Sequence, residues 1–289
     1  MQEKSPSRTA LSTAFLRAAH LCIDDVPPVL DDPVSLKLLP DYQRRYLMGL
    51  SRLSSPWLNR LRRTSDPFNA MRAHVVVRAR YAEDRLRDAQ RDGAGLYVIL
   101  AAGLDTFAWR QGRKKINVLE IDHPATQAWK HELVARSRLR TPRNLSFLPI
   151  DFERQSLEDI WRPNKDPDFI SWLGVTYYLT GEAIHETLKT LARVTQPGSQ
   201  IVFDFWGKAR LGEVSTPLLL GTRLSVAMLR EPMHSFFDAD EIEALANETG
   251  WRVREIATPA AQNAEYLAQR KDRLKVPSFT FLAHLQNAK

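Results

Sequence analysis

The chain has 289 residues, 44% of them hydrophobic and 26% charged, with a formal net charge of +7. These proportions belong to a soluble globular protein, and the length is large for one simple domain but short for two ordinary ones. Its one cysteine, Cys22, excludes an internal disulfide and a cysteine-rich metal site. No apolar run approaches the ~18 residues of a transmembrane helix. The opening residues, MQEKSPSRTA, mix both charge signs with no apolar stretch, which argues against a secretory signal and leads us to expect a cytoplasmic protein.

The first 93 residues read as a helical cap. Thr9 to His20 carries Leu11, Phe15, Leu16 and Ala19 at helical spacing. A loop rich in Asp and Pro follows over 24–33, then helical stretches over 41–62 and 67–91, the second stopped by Gly93 and Gly95. Between Asp41 and Asp92 stand twelve arginines against six acids. Such a surplus can meet nucleic acid, a membrane surface or an acidic small molecule, although a solvated helical face explains it as well.

From residue 94 onward the pattern alternates strand and helix, as in a doubly wound parallel sheet. Strands are expected at Leu96–Ala101, Asn117–Asp122, Leu145–Ile150, Asp168–Leu173 and Gln200–Trp206. Helices are expected at Pro124–Arg138 and Gly181–Thr195. An insertion at about 207–237 is apolar in its middle and reads as a lid. The tail reads as a helix over 238–250, a strand over 251–256, a polar loop from Thr258 to Lys275, and a final strand over 278–285 antiparallel to its neighbour.

Four pieces end consecutive strands, where open α/β sheets bind ligands. Ala101-Ala102-Gly103-Leu104-Asp105 is a tight turn, and Gly103 lets a ligand approach the backbone, although an ordinary strand-to-helix turn also favours glycine. Asp122 ends the second strand nineteen residues later, a spacing that suits a ribose diol, while an N-cap for the helix beginning near Pro124 is the plainer role. Asp151-Phe152 pairs a hydrogen-bond acceptor with an aromatic face, as an adenine would need; a turn residue beside a core phenylalanine explains it equally. Leu173-Gly174-Val175-Thr176-Tyr177-Tyr178 lies where the reacting end of a ligand would sit. Together they point to an adenosine-containing cofactor. The glycine-rich cradles of nicotinamide and P-loop proteins are missing. A cofactor without phosphates therefore fits better, and S-adenosylmethionine is one. Arg78 and Arg80, on the helix before the first strand, can supply a cation for its carboxylate.

VILAAGLDTFAWR, VLEIDHPATQAWK, FLPIDFE and WLGVTYYLT, with the later REPMHSFFDADEIEALANETGW, resemble the leucine carboxyl methyltransferase family. The resemblance is nearest its bacterial branch of S-adenosylmethionine-dependent O-methyltransferases, which includes polyketide carboxyl methyltransferases. It runs from about Arg8 to the C-terminus. It implies a class I methyltransferase fold: a Rossmann-like, doubly wound, seven-stranded α/β sheet with an antiparallel last strand and an N-terminal helical cap. Carried over by position, Arg78 would bind the cofactor carboxylate, Gly103 the methionine portion, Asp122 the ribose hydroxyls, and Asp151 with Phe152 the adenine. Ala101 and Leu173 would also lie against the cofactor, and both depart from the family pattern. Ala101 stands where the first glycine of GAGLD is usual, and Leu173 where W-E-G-V-T frequently has glutamate.

The implied reaction is in-line transfer of a methyl group to an oxygen of a small-molecule or carrier-bound acceptor, anionic or apolar, with no metal. A carboxylate acceptor is ionised near neutral pH and needs no base. A hydroxyl acceptor would need one, for which Tyr178, His234 and His123 are candidates; His123 reads better as part of a helix start, with Pro124 near N1. The rival expectations are a nucleic-acid methyltransferase using the basic cap and a non-catalytic scaffold retaining the fold. The sequence leaves the oligomeric state open.

Overall fold

In a computed structural model the described residues are 8–52, 67–112, 115–151, 154–161, 165–208 and 233–288. They form a seven-stranded sheet with helices on both faces. The strands are β1 (Leu96–Leu100), β2 (Asn117–Asp122), β3 (Leu145–Pro149), β4 (Asp168–Trp172), β5 (Gln200–Trp206), β6 (Trp251–Ala257) and β7 (Thr280–Asn287), in spatial order β3-β2-β1-β4-β5-β7-β6. The first five run parallel, and β7 is antiparallel to both β5 and β6. This is the class I methyltransferase sheet that the resemblance implies. Its order reverses between β1 and β4, which opens a crevice beyond the carboxyl ends of those two strands.

Alternate side chains of the central strands enter two different apolar clusters, so the sheet is buried on both faces. Val98, Leu100, Ile170, Ile201 and Phe203 meet α8 (Gly181–Val194) and α9 (Ala239–Thr249). Tyr97, Ile99, Phe169 and Val202 meet the C-terminal half of α4 (Pro67–Arg91) through Tyr81, Ala82, Leu86 and Ala89. The helical segment thus shares an apolar cluster with the sheet. Ahead of it, α1 (Arg8–Ile23), α2 (Pro33–Leu38) and α3 (Asp41–Arg52) close around Ala14, Ala18, Leu38 and Leu47. That cluster also takes in Leu104 after β1 and Leu133 of α6 (Pro124–Arg136), so α1 is seated over the turn that follows β1. A single turn, α5 (Phe107–Arg110), precedes β2, and another, α7 (Leu157–Ile160), precedes β4.

One expectation needs correcting. The polar stretch 258–275 is not all loop: α10 (Pro259–Tyr266) occupies its first half. Thr258 caps it by accepting from the Ala261 N–H, and Pro259 fits the first helical position, where no amide donor is needed. Gln262, almost fully buried, donates to the carbonyls of Ala257 and Thr280 and so ties β6 to β7. The helix is held by its Thr258 cap, by Gln262 and by Tyr266, which packs on the apolar clusters beside α4, so no repeating apolar stripe marks it. The final strand also begins two residues later than expected, because a turn from Pro277 to Thr280 precedes it. Residues 53–62 of the second expected helix, most of the lid insertion and Phe152 lie outside the described residues.

Among the described residues of 41–92, seven arginines are paired within the fold. Arg72 pairs with Asp24, Arg78 with Asp204, and Arg85 with Glu255. Arg44, Arg80, Arg87 and Arg91 pair with acids three or four positions away on their own helices. Among the described residues no helix is long and apolar enough to cross a membrane.

Candidate functional site

The crevice at the switch in strand order holds a cavity of about 240 Å³. The turn after β1 supplies Ala101, Gly103 and Asp105; the end of β2 supplies Asp122; the turn after β4 supplies Leu173, Gly174 and Tyr178. Its roof comes from α4, through Arg78, and from α1, through Thr9, Thr13 and Arg17. Six expected site residues therefore converge here: Arg78, Ala101, Gly103, Asp122, Leu173 and Tyr178.

The turn after β1 is tightly specified. Ala101 and Gly103 both have φ of +50°, a region L-residues with side chains occupy at a cost. The Ala101 departure thus puts a methyl group on a backbone conformation that favours glycine. A Cβ on Gly103 would stand 3.1 Å from the Ala10 methyl of α1, so glycine here also admits the roof helix. The Gly103 N–H donates to Asp122 Oδ2 at 2.5 Å, and the His123 N–H donates to Asp122 Oδ1 at 2.6 Å. Burial raises the Asp122 pKa, and these two donors oppose the rise. A carboxylate offers about four lone-pair positions, so Asp122 keeps room for two ligand hydroxyls. His123 is the N-cap of α6, its Nδ1 accepting from the Ala125 N–H.

Arg78 is 5% exposed. Its Nη1 donates to Asp204 Oδ2 at 2.8 Å and to the Tyr177 hydroxyl at 3.1 Å. Burial alone would raise the Asp204 pKa, but the Arg78 charge and the bonds from His74 and Gly174 overcome it and hold the carboxyl at about 2. Arg80 lies two positions on, a spacing that turns it away from Arg78 on a helix, and pairs with Asp84.

Asp151 follows β3, within reach of Arg154 at 3.6 Å, and does not line the cavity. Phe152 is outside the described residues. His234 is exposed; its backbone N–H donates to the Tyr177 carbonyl, and its ring does not reach the cavity. Among the described residues no group of His, Cys, Asp or Glu could hold a metal ion.

The leucine carboxyl methyltransferase family matches residues 10–192, well over half the chain. YktD of Bacillus subtilis (strain 168), named as an S-adenosyl-L-methionine-dependent methyltransferase, is 31% identical over 95% of both chains. The chain belongs to the leucine carboxyl methyltransferase family. A relative from Parafrankia sp. (strain EAN1pec) with the same kind of name is 28% identical over 68% of this chain and 62% of its own. The sheet also superposes on magnesium protoporphyrin IX methyltransferase from Synechocystis PCC 6803, solved with bound SAH, with a TM-score of 0.50. That match covers 81% of this chain and 94% of the other at 12% identity, and speaks for the fold alone.

Within this methyltransferase, most of the residues that carry the family resemblance build the scaffold. Glu120, fully buried, pairs with Lys130 at 2.5 Å, and the Lys130 ammonium also lies over the Trp109 ring at 5.5 Å. Gln127 donates to the carbonyls of Glu120 and Leu148, fastening α6 across β2 and β3. Arg110 joins Glu83 at 2.6 Å and Asp32 at 3.4 Å, and Arg17 joins Asp32 from α1.

Sequence reasoning missed the contribution of α1. Thr9, Thr13 and Arg17 recur every four residues along α1, beside the buried Ala14, Ala18 and Ala19, and that polar stripe faces the cavity. It missed Asp204 as well, although an acid in the apolar strand QIVFDFW is a visible anomaly.

Proposed function

We propose that this protein transfers the methyl group of S-adenosylmethionine to a carboxylate oxygen of a small acceptor, with the switch-point cavity as the cofactor site. The observation that carries this reading is the convergence of Gly103, Asp122 and Arg78 on one cavity, with no phosphate cradle beside them. The donor set fits the cofactor's three polar parts. Asp122 retains acceptor positions for a ribose diol, Gly103 presents backbone alone to the cavity, and Arg78 offers a cation to a carboxylate. At about 240 Å³ the cavity lies just below the ~300–1,000 Å³ usual for such sites, so α1 is already packed close over it.

When bound, S-adenosylmethionine supplies a methyl group made electrophilic by its sulfonium. The chain's part is to hold the acceptor oxygen in line and to keep water out. The roof of α1 and α4 excludes water, and Tyr178 presents a half-buried phenol at the end where the acceptor must approach. Tyr178 packs on a buried cluster of Tyr177, Trp206 and Phe279 with Met71, Met233 and Phe236, apolar surroundings that favour an apolar or aromatic acceptor body. A carboxylate needs no general base, consistent with His234 lying on the surface.

Titration calorimetry with S-adenosylhomocysteine tests the cofactor site directly, and no heat or thermal shift at millimolar ligand refutes it. Transfer of a labelled methyl group to a panel of carboxylic acids tests the acceptor class. Base-labile label, released as methanol, is expected; base-stable label on hydroxyl compounds alone would overturn the carboxylate assignment.

A further inference from the structure

Asp204 sits fully buried inside β5, where every neighbour in the strand is apolar except Gln200 at its start. One carboxylate there accepts three hydrogen bonds from two other elements. Oδ2 accepts from Arg78 Nη1 at 2.8 Å and from His74 Nε2 at 3.0 Å, both on α4. Oδ1 accepts from the Gly174 N–H at 2.5 Å, in the turn after β4. The Asp204 carbonyl also takes the Thr176 hydroxyl at 2.5 Å. Burial lowers the His74 pKa, so the neutral ring is the form that donates here.

The result is an arginine held on one arm. Nη1 is claimed by Asp204 and by the Tyr177 hydroxyl, which fixes the plane of the guanidinium. Nη2 lies against the bare Cα of Gly174, where φ is +79° and a Cβ would stand 2.6 Å away. Arg78 and Gly174 both line the cavity. A core ion pair with no further task would need only the one acid and the one base. This acid also fixes the turn that leaves room for the second arm.

We propose that Asp204 is a positioning residue for the amino-acid end of the cofactor. It aims Arg78 so that the free N–H edge meets the cofactor carboxylate, and it keeps the Gly174 turn clear of that edge. The inference rests on the cofactor assignment above and goes beyond it by naming the part of the cofactor that Asp204 governs.

The test compares two ligands that share the adenosine and differ in the amino-acid end. S-adenosylhomocysteine has that end, and 5′-methylthioadenosine lacks it. Asp204→Asn is expected to weaken S-adenosylhomocysteine at least about tenfold while changing methylthioadenosine by less than about twofold, since a bond to a charged group is worth more than a neutral one. Equal losses for both ligands, or loss for neither, overturn the role. If Asp204→Asn does not fold, Tyr177→Phe removes the other acceptor from Nη1 and keeps the ring that packs on Trp206. It should show the same selectivity at smaller size, and equal losses there overturn the role too. Wild-type protein that binds both ligands equally well removes the role of Arg78 and this inference with it. Wild-type protein that binds neither refutes the cofactor assignment itself, a failure separable from the first.

Discussion

Ala101 and Gly103 form a matched pair for testing the turn after β1, because both have φ of +50° and only one carries a side chain. The left-handed region costs a non-glycine residue about 1–2 kcal/mol. Replacing alanine by glycine returns that energy but also frees the unfolded chain, which takes back about 0.4–1 kcal/mol. Ala101→Gly is therefore expected to stabilise the protein by about 0.5–1 kcal/mol, a rise of roughly 2 °C in melting temperature for a chain of this size. Gly103→Ala runs the other way by a similar amount and adds a contact 3.1 Å from the Ala10 methyl, so α1 must shift. It should lower stability by about 1–2 kcal/mol and weaken S-adenosylhomocysteine as the roof moves. Differential scanning calorimetry on the ligand-free proteins measures both. A destabilised Ala101→Gly, or a neutral Gly103→Ala, would show that this backbone is not strained as described.

Asp122→Ala should weaken S-adenosylhomocysteine by at least about a hundredfold in calorimetry, as two bonds to a charged acceptor are lost; unchanged affinity refutes the ribose role. Thr13→Leu fills the cavity from α1 and should cost roughly tenfold or more in the same measurement, overpacking being worth about 1–3 kcal/mol. Burial raises the Glu120 pKa from its ordinary 4.5 to about 7, Lys130 only partly opposing it. The folded state then binds more protons than the unfolded one between those values, so stability should fall as pH rises through that window. The double variant Glu120→Gln, Lys130→Met should flatten the fall in denaturant titrations at stepped pH, and an unchanged slope excludes Glu120 as its source. Finally, RNA or DNA should not bind with steep salt dependence, because most of the cap's arginines among the described residues are paired within the fold; a steep slope in fluorescence anisotropy would contradict this.

The sheet was legible because each strand is a short apolar run and each connection a helix, and that alternation leaves few topologies open. Ends were less legible. Residues 258–275 look polar throughout, and α10 is set by the Thr258 cap and by Gln262 bridging two strands, neither of which leaves a periodic mark. At the site, Gly103 and Asp122 could be read from their places at strand ends, since a parallel sheet brings those ends together. Asp204 could not, because its meaning depends on Arg78 and His74, more than a hundred residues earlier. Nor could the roof, since nothing in Thr9 or Thr13 says that α1 lies over β1 until Leu104 and Leu133 are seen to hold it there.

The family resemblance itself has a physical reading that its residues do not announce. LDTFAWR and EIDHPATQAWK look like ligand-binding signatures, yet Asp105, Arg110, Glu120, Gln127 and Lys130 spend their bonds within the fold. The Asp105 carboxylate accepts from the Phe107 N–H, Arg110 ties α5 to α4 and α2, and Lys130 ties α6 to β2. Among them, the ion pairs of Arg110 with Glu83 and Asp32 and of Lys130 with Glu120 are ones in which removing a partner would strand a buried charge, at a cost of about 3–5 kcal/mol each. They therefore admit few substitutions, for reasons that have nothing to do with the acceptor. By contrast, the cavity walls at Ala101 and Leu173 are a methyl group and an aliphatic chain, which carry no charge to strand. Changes at such walls are thus cheapest, and acceptor preference should follow Leu173 while cofactor binding follows the fixed frame. Leu173→Glu, which restores the family's frequent residue, should alter which acids are methylated and leave S-adenosylhomocysteine affinity within about threefold, a change of roughly 0.6 kcal/mol. A loss of cofactor binding in that variant, with acceptor preference unchanged, would reverse the division.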